Sequence, residues 1–235
     1  SSQSCIEGKP HVPIHGQFQQ EIESADSFSL QNNKLLKVEL SQVTIQARRG
    51  SMVAYQGEVT FEHAGAGGLG RMVKKAMTGE GTSLMKIVGA GEVFLADQAQ
   101  EIQLIKLEND ELTCNGRNVL AFDAGIDWDI TRLKGGMAGA LAGGLFNIKL
   151  HGSGWVALTT DGPPLLLNVA EAPTFADAQA AVCWSSGVTT QLKTDVNFKT
   201  LTGRASGEPV QMAFGGQGWL LVQPSEGRVM PTVAG

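Results

Sequence analysis

The chain has 235 residues, 42% hydrophobic and 17% charged, a composition that supports a packed core and excludes disorder as its main character. Its net charge of −5 repels phosphate on average, so nucleic-acid binding is not expected without a local basic patch, and none stands out. Three cysteines without CxxC spacing, Cys5, Cys114 and Cys183, point to reduced thiols rather than a disulfide framework or zinc ribbon, and no run of about 18 apolar residues marks a membrane span. The expectation is a soluble, cytoplasmic protein.

Early in the chain, His11 and His15 have i, i+4 spacing, but Pro10 and Pro13 oppose the helix that would align them for a metal. A first strand is expected at Leu35-Leu-Lys-Val-Glu-Leu40. After the basic pair Arg48-Arg49 comes Ser51-Met-Val-Ala-Tyr55, then a turn and a strand at Glu58-Val-Thr-Phe61. Between Gly65 and Gly79, the apolar Leu69, Met72, Val73, Ala76 and Met77 fall at helical spacing, and Arg71, Lys74 and Lys75 avoid that face. A short amphipathic, basic helix between glycine hinges is expected there.

Gly89-Ala-Gly91-Glu-Val93-Phe-Leu95 reads as a strand opened by glycines and closes the first set. A second set follows in the same order: Ile102-Gln-Leu-Ile-Lys-Leu107 reads as a strand, and Asn118-Val-Leu-Ala-Phe122 ends on an aromatic. In Ile126-Asp-Trp-Asp-Ile130 the apolar residues share one face and Asp127 and Asp129 the other, the alternation of a half-buried strand. A second connector helix is expected from Met137, Ala140, Leu141, Gly144 and Leu145. Gly152-Ser-Gly154-Trp-Val156-Ala-Leu158 closes the second set, and the third comprises Leu165-Leu-Leu-Asn-Val169, Ala180-Ala-Val-Cys-Trp184, Val188-Thr-Thr-Gln-Leu192 and Gly216-Gln-Gly218-Trp-Leu220-Leu-Val222.

The Gly-x-Gly starts are separated by 152 − 89 = 63 and 216 − 152 = 64 residues, and the aromatics at 55, 122 and 184 by 67 and 62. Such constancy over three element types predicts an all-β single domain over residues 1–235, built from three repeats at about 28–96, 97–159 and 160–225 in a pseudo-threefold arrangement. N-terminal strands at 14–34 are expected to pack on them. The Gly-x-Gly glycines read as packing positions, because a phosphate cradle would need a strand before and a helix after.

These ordered motifs resemble the altered-inheritance-of-mitochondria protein twenty-four family. The residues that carry the resemblance are Gln46-Ala-Arg-Arg-Gly-Ser-Met-Val-Ala-Tyr55, Met77-Thr-Gly-Glu-Gly81, Gly89 to Leu95, Gly152-Ser-Gly154-Trp155 and Gly216-Gln-Gly218-Trp219. The resemblance implies a fold similar to the trp RNA-binding attenuation protein, a shortened double-stranded β-helix that assembles through its strands, with short helices in the connectors. It implies no catalytic residues. The third repeat departs from the family pattern at Gly207-Glu-Pro-Val-Gln-Met-Ala-Phe214.

The remaining chemistry is sparse. Four histidines give no cupin-like cluster, and His151-Gly-Ser153-Gly-Trp155 lacks the spacing of a nucleophile elbow. No cofactor or metal is expected. The first functional expectation is a non-enzymatic scaffold acting by homo-oligomeric assembly or partner binding. Its candidate partner or weak membrane-surface contacts are Leu69, Arg71, Met72, Val73, Lys74, Lys75, Met77, Met137, Leu141 and Leu145. The alternative is a small-ligand-binding protein or hydrolase using Asp127, Asp129, Arg48 or His151, with Arg48-Arg49 gripping an anion; RNA binding rests on fold analogy alone.

Overall fold

The structure, a computed structural model, describes residues 21–41, 43–63, 84–132, 146–192 and 211–225. All regular elements among them are β-strands. In chain order they are β1 (Phe28–Asn32), β2 (Leu35–Glu39), β3 (Ile45–Arg48), β4 (Met52–His63), β5 (Leu84–Leu95), β6 (Glu101–Asn115), β7 (Val119–Asp123), β8 (Asp127–Arg132), β9 (Phe146–Thr160), β10 (Leu165–Asn168), β11 (Thr174–Asp177), β12 (Ala181–Ser185), β13 (Val188–Leu192), β14 (Gln211–Gly216) and β15 (Trp219–Val222). Both expected connector helices lie outside the described residues, as do residues 14–20 of the expected N-terminal strands.

Every pairing is antiparallel, and three central strands organise them. β5 is flanked by β4 along one edge and by β2 and β3 along the other. β9 is flanked by β6 on one edge and by β7 and β8 on the other. In the last part of the chain, β14 and β15 stand in line as a broken centre, with β10 and β11 to one side and β12 and β13 to the other. Each group encloses its own buried cluster: around Ile45, Ile87 and Val93; around Phe122, Ile148 and Leu150; and around Trp184, Met212 and Phe214.

Two short junctions join twelve of the strands into one sheet, while β11, β14 and β13 form a separate three-stranded sheet. β3 pairs with β7, Gln46 facing Phe122, and β6 pairs with β12, Thr113 facing Trp184. Arg48 reinforces the first junction. Its Nε and Nη2 donate to the Val119 carbonyl at 3.1 and 2.7 Å, Nη2 also donates to the Arg117 carbonyl, and Nη1 pairs with Asp97. At the second junction Asn118 Nδ2 donates to the Thr159 carbonyl at 2.7 Å and to Gln223 Oε1 at 3.2 Å, so these buried amides are satisfied.

Two strand expectations need correction. The Gly-x-Gly pairs do not open strands; Gly89 and Gly91 lie inside β5 and Gly152 and Gly154 inside β9, while Gly216 ends β14. Gly89 and Gly91 take φ of 143° and 155°, and any Cβ on them would strike the carbonyl oxygens of Glu58 and Gln56 on the neighbouring strand. Nor does a turn follow Tyr55: β4 runs unbroken to His63, because Gly57, at φ 88° opposite Gly91, absorbs the bend within the ladder. Turns do follow Phe122 and Trp184, where Asp123 and Ser185 side chains accept the Trp155 and Trp219 amides at 2.5 and 3.1 Å.

Burial raises the pKa of Asp123, and the Trp155 amide only partly offsets it. A raised carboxyl pKa means the folded state holds the proton more tightly than the unfolded one, so stability falls as pH rises through the window above the ordinary aspartate value. Asp123→Asn keeps an oxygen for the Trp155 amide and removes the charge. We expect the variant to match or exceed the parent at pH 7 by under about 1 kcal/mol, since the partly exposed carboxylate is screened. In urea titrations the parent should close this gap as pH falls toward the ordinary aspartate range.

Before β1, the segment at 21–23 is held down by one cation. Lys37, on β2 with its side chain 4% exposed, donates to Glu21 at 2.8 Å, Glu23 at 3.2 Å and Glu92 at 3.0 Å. Burial lowers the pKa of its ammonium, but the hydrogen bonds to Glu21, Glu92 and Glu23 outweigh that and hold it above the ordinary lysine value.

Candidate functional site

A strand with one open edge and exposed apolar side chains is a ready template for another strand. Three strands fit that description among the described residues: β4, β11 and β10, which pairs only with β15. β4 pairs only with β5 among the described residues, and on it Val53 is 57% and Tyr55 49% exposed. β11 pairs only with β14 among them, and its Phe175 is 54% exposed.

β4 contrasts with β7 and β12, which carry the other two aromatic signals. In β7, Leu120, Ala121 and Phe122 are all 0% exposed, and in β12, Val182, Cys183 and Trp184 are no more than 4% exposed. Those strands have a neighbour on each edge, β3 and β9 for β7, β6 and β15 for β12. The stretch Met52-Val-Ala-Tyr-Gln-Gly57 carries no charge, and neither lysine nor proline guards it. Tyr55 packs edge-on against Phe61 of the same strand, with ring centroids 5.4 Å apart, which fixes its ring on the open sheet. Leu165 and Leu166 on β10, each 60% exposed, add a further apolar strip.

The side chains singled out from sequence are placed differently. Leu69, Arg71, Met72, Val73, Lys74, Lys75, Met77, Met137, Leu141 and Leu145 lie outside the described residues. Asp127 and Asp129 are exposed on β8, facing His151 and Lys149 of β9 across the ladder, while Ile126 is buried and Trp128 and Ile130 pack on the core. Lys149 pairs with Glu111 at 2.8 Å, so this face is an ordinary mixed-charge sheet surface. Arg48 does not join them. Its donors are taken up by Asp97 and two carbonyls, and burial lowers its pKa, so the anion-gripping role expected for it is corrected to that of a junction strut. Among the described residues no three His, Cys, Asp or Glu side chains converge for a metal, and no helix is long and apolar enough to cross a membrane.

Cys114 and Cys183 are free, buried and opposite one another at the junction of β6 and β12. Burial raises the pKa of the Cys114 thiol, and its hydrogen bond with Cys183 adds to that, which keeps the Cys114 thiol protonated.

The profile of the mitochondrial biogenesis AIM24 family matches residues 28–225. The chain belongs to the AIM24 family. An X-ray crystal structure of a Streptococcus pyogenes protein has a similar fold, with a TM-score of 0.68 at 22% identity, covering 84% of this chain and 92% of that one. No curated protein matches the sequence. The AIM24 match spans all fifteen strands, so β4, β10 and β11 all lie within the matched stretch.

Proposed function

We propose that this AIM24-family protein is a non-enzymatic β-scaffold that works by assembling with further copies of itself. One observation carries the reading: the aromatic strand is fully covered in the second and third strand groups and bare in the first, with Tyr55 49% exposed where Phe122 is 0%. Exposed apolar rows on uncharged edges are costly for a monomer and normal for an interface. On this reading the three strand groups are copies of one unit, arranged with pseudo-threefold symmetry in a fold like that of the trp RNA-binding attenuation protein. The recurring centre-and-flanks pairing and the 63- and 64-residue spacing of the glycines support it.

The test is the mass of the purified chain in solution. Light scattering or native mass spectrometry at tens of micromolar should report species of twice the chain mass or more. Tyr55→Lys should shift them toward monomer without altering the thermal midpoint of the monomer by more than a few degrees. A strictly monomeric parent at these concentrations overturns the proposal.

A further inference from the structure

We infer that one face of β1 and β2 is a binding site for an acidic, extended segment of another protein, and that Glu21-Ile22-Glu23 fills it in cis as a built-in competitor. The inference does not depend on self-assembly. It starts from burial at the edge of the sheet, where polar side chains normally face water. Gln31 of β1 and Lys37 of β2 are instead only 5% and 3% exposed, and both bond to the exposed strap at 21–23.

The two side chains recognise different parts of that strap. Gln31 takes the main chain: its Nε2 donates to the Ile22 carbonyl at 2.9 Å, and its Oε1 accepts the Ile22 amide at 2.7 Å, the two bonds a paired strand residue would exchange. Such bonds are indifferent to the side chain at that position, and Ile22 points outward, 47% exposed. Lys37 takes the side chains before and after, Glu21 at 2.8 Å and Glu23 at 3.2 Å, which share a side as residues two apart do in an extended chain. The site therefore reads an acidic residue, any residue and a second acidic residue.

The strap's hold is weak enough to be exchanged. Glu92 of β5 already stands 3.0 Å from the same ammonium, so both strap carboxylates share a charge that is partly neutralised, and Glu23 is 79% exposed. Against an outside segment the strap has the advantage of its tether, an effective concentration on the order of millimolar. Site and strap also differ in their place along the chain. Gln31, Lys37 and Glu92 lie within the stretch matched by the family profile, residues 28–225, and the strap precedes it. A replacement segment with the same pattern restores each of these bonds, so the exchange leaves no buried polar group unsatisfied.

The test is fluorescence anisotropy of a labelled peptide, Gln-Gln-Glu-Ile-Glu-Ser-Ala-Asp, with the full chain. A Glu21→Gln, Glu23→Gln chain, whose strap keeps its backbone bonds and loses its charge, should bind the peptide roughly tenfold more tightly than the parent. In that background Gln31→Ala should weaken binding by roughly tenfold, as should replacing both glutamates of the peptide by glutamine. Equal binding by the parent and the double variant, or equal binding of the charged and neutral peptides, overturns the proposal. The unaltered parent supplies a second arm: a spin label on the charged peptide, added at millimolar concentration, should broaden the Gln31 side-chain amide signal, and the neutral peptide should not. Absence of broadening by the charged peptide overturns the site. Parent dimers that the charged peptide dissociates would assign it to the strap of a second copy and overturn the outside partner.

Discussion

Gly89→Ala is expected to lower stability by at least about 3 kcal/mol, or to prevent folding altogether. The position is held at φ 143°, a region that side-chain-bearing residues rarely enter, and the added methyl would fall on the Glu58 carbonyl oxygen and within 3.1 Å of the Val59 Cα. Both neighbours are backbone, so no side chain can swing aside to relieve the overlap. β4 would have to leave β5 along the ladder that holds Tyr55 in place. Gly125→Ala is the control: a methyl on this exposed turn glycine would meet nothing within 4 Å, and the change should stay within about 1 kcal/mol. Denaturant midpoints of the two variants measure the difference, and similar midpoints would contradict the close-approach account.

Phe122→Ala and Tyr55→Ala should behave as opposites, although both residues close the same sequence signal. Phe122 is 0% exposed and packs edge-on against Trp128 at 6.2 Å, so its truncation leaves a cavity in the second cluster and should cost about 3–5 kcal/mol. Tyr55 already faces water on one side, and the same truncation should cost the monomer under about 1 kcal/mol. Its effect should appear instead in association, as a rise in the concentration at which oligomers form. Equal destabilisation of the monomer by the two variants would mean that Tyr55 is covered within its own chain.

Much of the strand pattern was legible because it depends on local alternation. Val188–Leu192 forms β13 over the expected residues, and Ile126, Trp128 and Ile130 do turn inward while Asp127 and Asp129 face water. Strand length was not legible. A twelve- or fifteen-residue strand with glycines at its middle has the same local signal as two short strands, and only the partner backbone pressed against Gly89 or Gly91 distinguishes them. Arg48 failed for a similar reason: a basic pair before a glycine suggests an anion site, but its partners Asp97, Arg117 and Val119 are 49 to 71 residues away in sequence. The candidate interface was hidden in plain view. Tyr55, Phe122 and Trp184 looked equivalent, and what separates them is the presence or absence of a flank from a preceding group, which is a property of order along the chain. The uncharged run Met52-Val-Ala-Tyr-Gln-Gly57 was the signal that could have marked it.

The place of the central strands has a consequence for synthesis. In each group the centre emerges last: β5 after β1 to β4, β9 after β6 to β8, and β14 with β15 after β10 to β13. A nascent chain leaving the ribosome therefore holds a set of flanks with nothing between them until the glycine-bearing strand arrives, and each group can close only as a unit when it does. The first group closes once Leu95 is out, and β3 then waits, one edge bare, for β7. Each finished group is thus the template on which the next one forms.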